Sequence, residues 1–159
     1  MTLSVSSTAH LYRVKNSPIH GRGVFASRKI RAGELIVEYL GDHISYDQAC
    51  EDLAARDDDS HHTFLFGLEN GNMIDGGRHG NDARYINHCC EPNCEAREEN
   101  NRIFIHALRD ITRGEELNFD YGLVLEARYT AALKRAYACR CGKPGCRQTM
   151  LAPKTRKRS

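Results

Sequence analysis

Between positions 11 and 40 the chain is a series of short apolar runs broken by glycine and proline. Val24-Phe25-Ala26 and Leu35-Ile36-Val37-Glu38-Tyr39 are the clearest, with Ser17-Pro18, Gly21, Gly23, Gly33 and Gly41 as punctuation. Runs this short, bounded by turn formers, predict strands joined by tight turns. The period then changes. Tyr46, Ala49, Cys50 and Leu53 fall at i, i+3, i+4 and i+7, which predicts one amphipathic helix over 46–56. It ends in Asp57-Asp58-Asp59, read as a solvated loop because consecutive aspartates lack the alternating spacing of a calcium loop. Strand patterns return at 64–68, 103–108 and 117–119, and a second helix is predicted over 126–138. No internal repeat is present. Many short strands with little helix predict a mostly β, compact α+β domain.

Composition narrows this to one ordinary globular unit. A chain of 159 residues can bury a core but is short for two enzymatic domains, and 40% hydrophobic, 28% charged and 8% aromatic residues exclude collagen, coiled coil or wholesale disorder. No window approaches 18 consecutive apolar residues, and the N-terminus lacks a basic-then-apolar leader. The chain is therefore expected to be soluble and intracellular, without membrane association. Basic and acidic residues number 23 and 21, a net charge of +2, too balanced for electrostatics alone to indicate a nucleic-acid binder. The basic stretch 153–158 is read as part of a disordered tail over 152–159, so direct nucleic-acid binding is not expected.

Seven cysteines change the picture, because an odd number without an export signal makes a poor disulfide framework and a better source of metal ligands. Cys139-Arg140-Cys141 followed by Gly142, Lys143, Pro144, Gly145 and Cys146 forms a CxCx4C pattern whose glycines and proline let the backbone aim three sulfurs at one point. Tetrahedral zinc needs four ligands, so a fourth must come from elsewhere, and Cys90 in the mid-chain cluster is the candidate. Reduced free thiols or a disulfide are the alternatives. Four thiolates on one divalent ion would carry about two negative charges beside Arg140, Lys143 and Arg147. Cys50, Cys89 and Cys94 are read as buried small hydrophobes.

Three further segments matter together: His20-Gly21-Arg22-Gly23-Val24-Phe25, then Arg84-Tyr85-Ile86-Asn87-His88-Cys89-Cys90-Glu91-Pro92-Asn93, then Gly114-Glu115-Glu116-Leu117-Asn118-Phe119-Asp120-Tyr121-Gly122. In this order, with Glu38-Tyr39-Leu40-Gly41-Asp42 between the first two and CxCx4C after the third, the chain resembles the SET-domain protein lysine methyltransferases with a cysteine-rich post-SET segment. The resemblance implies a SET domain over 11–122 and a zinc-binding post-SET segment over 123–151. It implies small β-sheets in which the Arg84-to-Cys90 segment and the one ending at Tyr121 pass each other in a knot-like crossing.

The resemblance also implies S-adenosylmethionine as methyl donor, with Gly21, Arg22, Gly23, Arg84, Asn87, His88 and Tyr121 around it and zinc on Cys90, Cys139, Cys141 and Cys146. Arg22 stands where relatives often carry an aromatic, and Cys89 where they usually carry serine. Tyr121, Tyr39 and Phe119 are the implied catalytic residues, lining a channel for the lysine. A free lysine, with a pKa of about 10.4, is neutral roughly once in a few thousand near neutral pH. Desolvation beside the sulfonium charge lowers that pKa, so no strong base is required, and Tyr121 hydroxyl would hold the amine in line with the methyl. Phe119, where others carry tyrosine, implies room for more than one methyl group. His62-Thr63-Phe64-Leu65-Phe66 is similar to the strand that pairs with an extended substrate, with plain core packing as its alternative. The expected partner is a protein or peptide carrying a target lysine, histone-like or otherwise. The competing reading is a catalytically inactive SET-like module that binds peptide. Location would be cytoplasmic in a bacterium and nuclear in a eukaryote.

Overall fold

The structure is a computed structural model that describes residues 11–55, 64–123 and 128–152. Ten short strands and two helices build it. Strands β1 (Tyr12–Asn16) and β2 (Arg22–Ala26) form an antiparallel hairpin. Strand β3 (Leu35–Tyr39) leads through a turn into β4 (Asp42–Ile44) and helix α1 (Tyr46–Ala54). Strands β5 (Leu65–Gly67) and β6 (Met73–Asp75) follow, then a 3-10 turn (Asp82–Tyr85) and the two-residue strand β7 (Asn87–His88). Strands β8 (Cys94–Glu99) and β9 (Arg102–Ala107), β10 (Asn118–Phe119) and helix α2 (Ala131–Ala136) complete the order.

Two three-stranded antiparallel sheets, β3-β9-β8 and β4-β6-β5, accompany the hairpin and a parallel pairing of β10 with β7. The core is built from β-branched residues of the central strands, with Val24, Ile36, Ile103, Ile105 and Ile111 at most 1% exposed. Alternation explains β9: Ile103, Ile105 and Ala107 point inward, and the residues between them do not. The expected mostly β architecture of small sheets is what the structure shows.

The parallel pair matters most for function. It sets Asn118 opposite Asn87 and Phe119 opposite His88, and Cys89 N–H donates to Phe119 O at 3.2 Å. Two residues of ladder are little on their own. Buried asparagines brace the pair from the residue before β8: Asn93 N–H donates to Asn118 Oδ1 and Asn118 N–H to Asn93 Oδ1, both at 2.9 Å. The two motif segments therefore lie side by side.

Three expectations need adjustment. Helix α1 is present and capped by Ser45, whose hydroxyl accepts from Gln48 N–H, but of its predicted stripe only Ala49 is buried. Cys50 is exposed, so it is not a core thiol, whereas Cys89 and Cys94 are fully buried. The second helix is described over Ala131–Ala136, shorter than 126–138. The aspartate triplet, His62, Thr63 and the basic stretch 153–158 lie outside the described residues.

Candidate active site and thiol cluster

The predicted channel residues come together as one row of rings. Tyr39 meets Phe66 at 5.4 Å between centroids, Phe66 meets Phe119 at 6.0 Å, Phe119 meets Tyr121 at 5.0 Å, and Tyr121 meets His88 at 5.3 Å. Tyr39 comes from β3, Phe66 from β5, Phe119 from β10 and His88 from β7, so three sheets converge here. Both hydroxyls are committed as donors. Tyr121 O–H donates to Ile86 O at 2.6 Å and Tyr39 O–H to Phe64 O at 2.5 Å. Burial pushes both phenols well above the ordinary tyrosine range, so both stay protonated. Gly76 makes room for this: a Cβ there would stand 2.8 Å from Tyr39 Oη.

His88 ties the ring row to the backbone. Its Nδ1 accepts from Tyr121 N–H at 3.0 Å, and burial pushes the imidazole down to about 4 despite the Asp120 carboxylate 3.6 Å away. A neutral ring that accepts at Nδ1 carries its proton at Nε2. That nitrogen faces Cys90 Sγ at 3.4 Å.

Beside the rings lies a cavity of about 290 Å³ lined by Ile19, His20, Asn87, His88 and Tyr121 on one side and by Arg135, Cys139, Arg140 and Met150 on the other. Of the residues expected around a cofactor, Asn87, His88 and Tyr121 line it. Gly21 is exposed with φ +46°, and Gly23 is buried in β2. Arg22 lies over the Tyr85 ring at 5.8 Å, while Arg84 donates to Tyr85 Oη at 2.8 Å and lies over the same ring at 4.8 Å. The structure therefore gathers the Asn-His pair with Tyr121 and sets both arginines on Tyr85.

The four predicted metal ligands converge. Ligand atoms of Cys90, Cys139, Cys141 and Cys146 all lie within 4.8 Å of one another, and Cys90 Sγ is 3.7 Å from Cys139 Sγ. Sulfurs at the corners of a tetrahedron about 2.3 Å from a central ion are separated by about 3.8 Å. Backbone N–H groups point at the sulfurs: Arg147 N–H at Cys90, Cys141 N–H at Cys139 and Gln148 N–H at Cys146, at 3.3–3.4 Å. Burial opposes ionisation of Cys141, but the N–H groups of Cys90 and Lys143 and the adjoining thiols outweigh it, bringing that thiol down to about 6. This donor set fits one soft-ligated metal ion.

Sequence reasoning passed over four site residues: Phe66, which completes the ring row, Asn93 and Asn118, which brace the strand pair, and Glu116. All lie inside quoted motifs or strands, but nothing in their type distinguishes them from packing residues. The cavity-lining residues of 135–150 were foreseeable only through the CxCx4C pattern, which brings that segment back to Cys90.

Comparison with known proteins places this geometry. A model of the SET domain matches residues 21–122. Human histone-lysine N-methyltransferase 2B is 39% identical over 139 residues, 85% of this chain and 5% of its own. Candida albicans histone-lysine N-methyltransferase, H3 lysine-4 specific, is 36% identical over 141 residues, 82% of this chain and 13% of its own. Drosophila melanogaster histone-lysine N-methyltransferase trithorax is 37% identical over 141 residues. Among solved structures, autoinhibited ctPRC2 bound to S-adenosylmethionine superposes with a TM-score of 0.64 at 34% identity, covering 71% of this chain and 15% of that one. The Chaetomium thermophilum Polycomb repressive complex 2 gives 0.66, also at 34% identity. Fold and site together define a small β-rich domain with a row of aromatic rings beside a cavity and a four-thiol cluster. The chain belongs to the SET domain family. It spans 4% to 13% of the length of these three histone-lysine methyltransferases.

Proposed function

We propose that this chain is the catalytic region of an S-adenosylmethionine-dependent protein lysine methyltransferase, with zinc on Cys90, Cys139, Cys141 and Cys146. The observation that carries this is the junction at Tyr121: a half-buried, protonated phenol joins a row of rings to a cavity lined by Asn87 and His88. S-adenosylmethionine bound in that cavity would supply an electrophilic methyl group on a sulfonium.

The chain's own groups do the rest. Tyr121 O–H already donates to Ile86 O, so its oxygen is left to accept an N–H from the substrate amine. This refines the sequence expectation: the hydroxyl holds the amine by accepting, which leaves the nitrogen lone pair free to face the methyl carbon. The ring row excludes water and disfavours the charged ammonium. Proton loss therefore precedes transfer, and neither tyrosine need act as base. Phe119 brings no hydroxyl to this wall, which favours products beyond monomethyl-lysine. The names of the relatives make a histone tail the first substrate to offer, and a histone substrate implies nuclear action.

The test is methyl transfer from S-adenosylmethionine to a histone mixture and to an H3 tail peptide, read by mass spectrometry. The wild type should transfer more than one methyl, Tyr121→Phe should lose at least tenfold in kcat, and Phe119→Tyr should accumulate monomethyl product. A wild type that binds neither S-adenosylmethionine nor its thioether product, under reducing conditions with zinc present, overturns the reading.

A further inference from the structure

The motif around Glu116 contains a carboxylate that the chemistry above does not use. Glu116 stands just before β10 and reaches the loop before β2. Ser17 Oγ donates to it, lying 2.8 Å from both carboxylate oxygens, and Asn87 Nδ2 donates to Oε2 at 2.8 Å. The same Asn87 amide nitrogen also faces His20 O at 3.2 Å and Arg22 O at 3.1 Å. All three partners can only accept. The orientation of the amide is therefore fixed: nitrogen toward Glu116 and the loop, which leaves Oδ1 as the free acceptor of a residue that lines the cavity.

Gly23 completes the arrangement. A Cβ at Gly23 would overlap Glu116 Oε2 and stand 2.9 Å from both Glu116 Cδ and Ser17 Cβ. The carboxylate thus requires a glycine at this position.

We infer that Glu116 is a positioning residue for the methyl donor: with Ser17 and the bare backbone of Gly23, it locks Asn87 so that Oδ1 receives the donor's ammonium group. An amide turned the other way would present N–H to that cation. The inference rests on the functional reading above and deepens it, by assigning Glu116, Ser17 and Gly23 the task of holding the Asn87 amide in one orientation.

The experiment measures S-adenosylhomocysteine binding by calorimetry, with KM and kcat for the donor, on the zinc-loaded chain. Glu116→Ala should weaken thioether affinity and raise the donor KM by about tenfold, the scale of one hydrogen bond to a charged group, with kcat at saturating donor and peptide KM within about threefold of wild type. Glu116→Gln keeps an acceptor for Asn87 and should recover most of the loss. Gly23→Ala should show the same donor-specific defect, and Gly23→Ala with Glu116→Ala should be weaker than wild type by less than the product of the two single effects, because both act on one contact. If Glu116→Ala fails to fold, Glu116→Gln and Gly23→Ala still decide: an unaltered donor KM in Gly23→Ala overturns the inference. So does a Glu116→Ala that binds the thioether as the wild type does, or that weakens donor and peptide equally. A wild type that ignores the thioether is a separate result: it removes the functional reading and the inference with it.

Discussion

Which way a hydroxyl points decides what a tyrosine can do, and here the hydroxyls of Tyr39 and Tyr121 both point at backbone carbonyls. A phenolate base would need its proton given up at neutral pH, yet burial raises both groups and their O–H bonds are already directed at Ile86 O and Phe64 O. In the proposed reaction the proton that must leave is therefore the substrate's own. Because both phenol pKa values are displaced upward, neither contributes an ascending limb below the ordinary tyrosine range, and kcat/KM should rise with pH as the amine deprotonates. Tyr121→Phe should lower the whole profile and keep that limb, as should Tyr39→Phe. A limb that disappears in one variant would identify that phenol as the base. Tyr39, Phe119 and Tyr121, which the structure brings into one row of rings, were legible in the sequence, since each sits in a recognisable motif. The hydrogen-bond directions were not, because they depend on carbonyls of 64 and 86 brought near only by folding.

Elements with their own hydrophobic period were readable, and those held by neighbours were not. Strand β3 and most of β9 follow from apolar runs. Strand β8, Cys94–Glu99, is a largely charged edge stabilised by six register partners on β9, so its letters alone resemble a loop. Helix α1 shows the converse: its apolar positions have the right spacing, yet Tyr46 and Leu53 stay exposed, 59% and 41%, because among the described residues only the Ala49 position meets the core closely. The two-residue pairing of β7 with β10 is the extreme case. Its partner is distant in sequence, and side-chain amides substitute for a longer ladder. Asn118→Ala would leave the buried N–H of Asn93 without an acceptor, a loss of about 1–3 kcal/mol. Denaturant unfolding should show a lower midpoint with unchanged slope. A midpoint equal to that of wild type would mean that the amide exchange does not hold the crossing.

At the scale of the whole molecule, segment 128–152 is the wall of the cavity with the least core of its own. Its buried residues are Cys139, Thr149, Met150 and Leu151. Full burial of an aliphatic side chain contributes about 1.5–3 kcal/mol, whereas ordering each backbone residue costs about 1–2 kcal/mol, so packing alone falls short for a segment of this length. Three links besides the thiol cluster fasten the segment. Arg147 grips Asp120 through two hydrogen bonds at 2.9 and 3.2 Å, and although burial opposes it, this guanidinium holds the Asp120 carboxyl below its usual range. Gly145 N–H donates to Glu91 Oε1 at 2.9 Å, and Leu123 bridges to Leu151. None of these replaces the thiol cluster, where a structural zinc would contribute on the order of 10 kcal/mol. Metal removal should therefore release this wall while the central sheets persist. With a chelator under reducing conditions, S-adenosylhomocysteine affinity should fall at least tenfold as zinc leaves, proteolysis should appear first within 128–152, and the β-sheet circular dichroism should change little. Cys141→Ser should reproduce the loss. Unchanged affinity after verified zinc loss would show that Met150, Arg135 and Arg140 reach the cavity without the metal, and that Asp120 and Glu91 alone fasten the segment.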